Sequence, residues 1–159
     1  MNYENMNSEQ LYIAANNCDK KGENELAKYL RRLRYIAVYN ENFKYDENKT
    51  PEENFFAEDH AMLLVYEETL RDKNKKKQKA TYTRKLTERR GKFGAIIHTI
   101  ESGPKKTYYD LLELGIPQFS NEHLVMKYKS LFPKEIIEKV SKYYECPKPR
   151  PTNIGEQNV

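Results

Sequence analysis

The sequence holds no tryptophan and only two cysteines, Cys18 and Cys146, far apart and outside any C-x-x-C spacing. That excludes a disulfide-dense scaffold and a zinc ribbon, and reads as free thiols in a reducing compartment. Long apolar runs are also missing. The longest uncharged ones, AMLLVY (61–66) and FGAIIHTI (93–100), are far too short to span a bilayer. The opening MNYENMNSEQ is polar and acidic and lacks the basic and apolar regions of a signal peptide. The expectation is a soluble, cytoplasmic protein with no membrane partner.

Catalytic signatures are absent too. His60, His98 and His123 are isolated, with no H-E-x-x-H or E-x-x-H pair. There is no phosphate loop and no G-x-S-x-G elbow, and no cysteine has a histidine context. Asp59 and Asp72 flank a helix without convergent partners. Asp59 falls in an apolar stripe and reads as a buried structural partner for Arg89 rather than a general base. His98 falls away from its helix's apolar stripe and reads as solvated. These absences point to a non-catalytic protein without cofactor, metal or evident small-molecule substrate.

What is present is charge, unevenly laid out. Residues 1–70 carry 8 basic and 14 acidic side chains, a net of −6. Residues 71–106 carry 13 and 3, a net of +10, and residues 107–159 carry 7 of each. A local field, not the overall +4, is what steers a charged partner.

Apolar periodicity predicts an all-α fold: one compact bundle of six to seven helices over residues 1–145, followed by a Pro-containing, polar, disordered tail at 146–159. Asn7 and Ser8 cap a first helix that stops at Gly22. A second, from about Glu23 to Tyr39, buries Leu26, Tyr29, Leu30, Leu33, Ile36 and Ala37, and the two form an αα-hairpin. Thr50, Pro51 and Glu53 open a third as N-cap, N1 and the closing residue of a capping box. Its stripe runs from Phe55 through Met62 and Tyr66 to Leu70. The stretch from Asp72 to Lys79 has no apolar residue and reads as a linker or exposed helix extension. Short helices then follow Thr107, Ser120 and Pro133. GAIIHTI alone also fits a short strand.

The basic segment itself has two parts. RDKNKKKQK (71–79) is an exposed cationic connector. From Ala80 a helical wheel at about 100° per residue places Tyr82, Leu86, Phe93, Ile96, Ile97 and Ile100 within about 60° of one another, a core stripe. Arg84, Lys85 and Lys92 then point outward, Arg89 falls within the stripe and Arg90 at its border. Gly91 and Gly94 cost about 1 kcal/mol each inside a helix. They indicate close helix packing, a helix break, or a backbone cradle for an anion.

The residues expected to bind an anionic partner are Lys73, Lys75, Lys76, Lys77, Lys79, Arg84, Lys85, Arg90, Lys92, Lys105 and Lys106. The first reading is phosphate contact with DNA or RNA. The alternative is a protein-interaction module for a partner with an acidic surface, such as an adaptor or inhibitor of a nucleic-acid-handling complex of the kind phage and mobile elements carry. The blandest reading has the acids of residues 1–70 neutralising the lysines within the fold. TYYDLLELGIPQFSNEHLVMKYKSLF (107–132) resembles a helix-turn-helix only loosely. Its connection is long, and Asn121, His123, Lys127 and Lys129 make a thin recognition face.

Overall fold

The computed structural model describes residues 2–144. Seven α-helices follow in chain order: α1 Ser8–Lys20, α2 Asn24–Asn42, α3 Pro51–Asn74, α4 Thr81–Glu101, α5 Lys106–Glu113, α6 Asn121–Lys127 and α7 Lys134–Tyr144. Single turns of 3₁₀-helix lie at Tyr3–Asn5, Pro117–Phe119 and Lys129–Leu131. No strand occurs among the described residues, so GAIIHTI is helical. Cys146 and the expected tail lie outside the described residues.

The caps predicted at Asn7, Thr50 and Ser120 form, whereas Thr107 is not a cap, because α5 already begins at Lys106 with Lys105 at its N-cap. Asn7 Oδ1 accepts from the Gln10 N–H while Gln10 Oε1 accepts from the Asn7 N–H, a complete capping box. Thr50 Oγ1 accepts from the Glu53 N–H ahead of a helix opened by Pro51. Gly22, at φ +77°, turns the chain from α1 into α2.

The α1–α2 hairpin closes over a small core of Leu11, Ala15, Cys18, Ala27 and Leu30. A larger core unites α2 to α7, with Phe55 and Val65 of α3, Ile96 and Ile100 of α4, Leu124 of α6 and Ile136 of α7 at its centre. Phe55 stacks on Phe93 at 4.6 Å and meets Phe132 edge-on at 5.6 Å, tying α3, α4 and the approach to α7 together.

α2 buries more than the single stripe that its sequence suggests: Leu30 of that stripe is buried and Leu26, Leu33, Ile36 and Ala37 are half-buried against the cores. It is sandwiched between α1 and α3, so its buried residues are Ala27, Leu30, Arg34, Tyr35 and Val38, while Tyr29 lies exposed. The second face is polar at its centre. Arg34, 1% exposed, donates to Asp72 Oδ1 at 2.6 Å, to Glu68 Oε2 at 2.7 Å and to the Glu68 carbonyl at 2.9 Å. Tyr35 donates its hydroxyl to the other Asp72 oxygen. Arg71 pairs with Glu9 at 3.2 Å and lies 3.6 Å over the Tyr12 ring, which ties α1 to α3. A buried ionic seam adds little net stability but is costly to break. Asp72, expected to lack a convergent partner, is a hub of that seam. Of the two readings of 72–79, linker or helix extension, the structure has α3 continuing to Asn74 and a short loop after it.

Candidate functional site

α3 ends at Asn74, and Lys75 takes the left-handed conformation (φ +60°) that turns the chain out of the helix. Asn74 Nδ2 donates to Gln78 Oε1 at 2.7 Å, holding a short loop that runs to Ala80. Lys73, Lys75, Lys76, Lys77 and Lys79 are all exposed. None forms an ion pair among the described residues.

Several acids of the first seventy residues are engaged elsewhere, and none pairs with the connector lysines among the described residues. Glu9 serves Arg71, Asp19 serves Arg31, Glu58 serves Lys127, Glu67 serves Arg84 and Glu68 serves Arg34. Glu41, near the connector, accepts from the Ser8 N–H and hydroxyl. The Arg71 guanidinium holds the Glu9 carboxyl below its usual range, and Lys77 adds a smaller pull in the same sense. Internal neutralisation of the lysine run therefore does not occur through direct pairs.

α4 divides at Gly91, whose φ +72° and ψ 170° interrupt the helix. An added Cβ there would meet nothing within 4 Å, and one at Gly94 would meet only the Cβ of Arg90. Of the three readings of these glycines, a helix break is the one observed at Gly91. The break changes the face that each half presents. In the first half Leu86 is buried and Thr83, Arg84 and Thr87 are half-buried, while Tyr82, Lys85, Glu88, Arg89 and Arg90 face solvent. Tyr82 is 40% exposed, not the core residue expected, and it shares its outward face with Lys85 and Arg89.

Two of the predicted binding residues make internal contacts. Arg84 forks onto Glu67, which also accepts from the Ala80 N–H at 3.0 Å. Lys92 donates to the Phe56 carbonyl at 2.9 Å and lies 3.7 Å from Asp59. Asp59 thus pairs with Lys92 and not with Arg89, which is exposed. Burial pushes the Asp59 carboxyl upward despite the opposing pull of Lys92. Lys106 pairs with Asp110 at 2.7 Å, and half-buried Lys105 precedes α5. Both follow the far end of α4 in the chain, whereas Lys73, Lys75, Lys76, Lys77 and Lys79 lie at the end of α3 and on the connector, and Lys85 and Arg90 on the first half of α4. Lys105 nevertheless lines one cleft with Tyr82 and Arg84.

The helix-turn-helix likeness weakens on the same grounds. His123 Nδ1 lies 2.7 Å from the Tyr144 hydroxyl, and burial pushes its pKa down. Lys127 donates to buried Glu58 at 2.6 Å. Half of the thin recognition face is taken up by internal contacts.

One feature escaped the sequence. A cleft of about 550 Å³ opens between α3, α4, α5 and the start of α6. His60, Leu63 and Tyr66 line it from α3, Tyr82, Thr83 and Thr87 from α4, Tyr108 and Leu111 from α5, and Glu122 from α6. His98 also lines it and is half-buried, not fully solvated. The Tyr108 hydroxyl is buried without a hydrogen-bond partner, and burial pushes its pKa up to about 12. Glu122 is buried and accepts from the Tyr143 hydroxyl at 2.9 Å, and desolvation raises its carboxyl pKa. The walls come from four separate segments, so no local pattern announces them.

Among the described residues, no helix is long and apolar enough to cross a membrane. Nor do three or more His, Cys, Asp or Glu residues group as metal ligands among them. No family model, curated protein or solved structure matches the chain.

Proposed function

We propose that the protein is a non-catalytic nucleic-acid-binding protein whose α3–α4 connector and the first half of α4 contact phosphates. The observation that supports this reading is the set of exposed, unpaired cations at Lys73, Lys75, Lys76, Lys77, Lys79, Lys85, Arg89 and Arg90, with Glu88 the single exposed acid between Lys73 and Arg90. An anionic polymer supplies the missing counter-charge and releases condensed counterions as it binds. The exposed Tyr82 ring beside Lys85 and Arg89 adds a stacking surface of the kind single strands use.

A protein partner with an acidic surface would engage the same cations. Affinity capture of the tagged protein from its native host, with and without nuclease, separates the two readings. Nucleic acid that co-purifies and disappears with nuclease supports the proposal. A stoichiometric protein partner that survives nuclease, with no nucleic acid bound, contradicts it.

A further inference from the structure

We infer that the cleft beside α4 receives one unstacked nucleobase of a single strand whose phosphates lie on the cationic face. This rests on the phosphate-binding reading above and adds what the cleft does. Tyr82 joins the two surfaces: its ring is exposed next to Lys85 and Arg89 and also lines the cleft. A volume of about 550 Å³ falls within the range of small-molecule sites and can hold a base with its sugar, while a stacked duplex cannot enter.

Charge decides which part of the strand goes inside. Asp59, Glu88 and Glu122 lie along the cleft; of its three Lys and Arg side chains, Arg84 is committed to Glu67 and Lys92 to Asp59 and the Phe56 carbonyl, and Lys105 alone has no acid partner among the described residues. A phosphate would meet those acids, whereas a neutral planar base would not. Leu63, Tyr66 and Leu111 supply apolar walls, and Thr83, Thr87 and His98 supply polar groups for a base edge. Tyr108 also lines the cleft, and its hydroxyl is a buried polar group without a partner.

The test compares two labelled strands of about 12 nucleotides at equal salt, one with bases and one with abasic tetrahydrofuran residues throughout. The base-bearing strand is expected to bind about tenfold tighter or more. Tyr82→Ala, at an exposed position, should remove most of that difference and leave the abasic affinity unchanged. Thr87→Trp, which fills the cleft, should do the same, with a thermal melt confirming that each variant is folded. Equal affinity of the two strands overturns the base inference and leaves phosphate contact standing. Failure of both strands to bind removes both readings. A free mononucleotide that binds as tightly as the strand also overturns the inference, since the cleft would then need no polymer.

Discussion

Glu67 receives the forked guanidinium of Arg84, and the same carboxylate accepts the N–H of Ala80. A residue from the acidic half thus fixes the first turn of the basic helix against α3. One cation of the basic segment is given over to holding its neighbours in place.

Arg84→Ala is therefore expected to cost stability, not affinity. It leaves Glu67, only 9% exposed, short of its charged partner. The loss should be about 1–3 kcal/mol, below the figure for a fully buried pair because a third of the Arg84 side chain is open to solvent. Urea denaturation checks it. The folded variant should keep its affinity for an oligonucleotide within about twofold, well under the tenfold that 1.4 kcal/mol represents.

Gly91 sits in a backbone region that is essentially confined to glycine. Gly91→Ala should destabilise the protein by about 1–3 kcal/mol through backbone strain alone, since a Cβ there meets nothing. Gly91→Asn should give no rescue, because asparagine tolerates the left-handed helical region and not this one. Equal thermal stability of wild type and Gly91→Ala would contradict the break.

The break also explains what the sequence could not disclose about α4. A single helical wheel from Tyr82 to Ile100 assumes one unbroken phase. With the phase reset at Gly91, Leu86 and Ile96 stay buried while Tyr82 and Arg89 turn to solvent. Helix starts such as Thr50-Pro51 were legible because caps are local chemistry. The Arg34–Asp72 pair was not, because charged residues read as solvated unless their partners are known, and these lie 38 positions apart. The cleft depends on four segments and has no one-dimensional signature.

Burial raises the Glu122 carboxyl pKa above its ordinary value of 4.5. The folded state therefore holds more protons than the unfolded state between those two values, and stability from this group falls as pH rises through that window. Glu122→Gln removes the titration while its amide oxygen can still accept from Tyr143. The variant should melt higher than wild type at pH 7 and nearly equal to it below the ordinary carboxylate range. His123, whose pKa is lowered by burial, works in the opposite sense and loses stability as pH falls below 6.5. Melting curves of Glu122→Gln across pH isolate the glutamate contribution.

The most direct measurement is the salt dependence of binding to a single-stranded oligonucleotide, with wild type compared to a Lys75→Glu, Lys76→Glu, Lys77→Glu triple variant. These three lysines are exposed and support no helix contact, so the variant should fold normally. Log affinity should fall linearly with log salt in the wild type. The triple variant should flatten that slope by about 2, at about 0.7 for each phosphate it no longer neutralises. Absence of binding by the wild type at about 50 mM salt, or an identical slope in the two proteins, would contradict the assignment of the connector to phosphate binding.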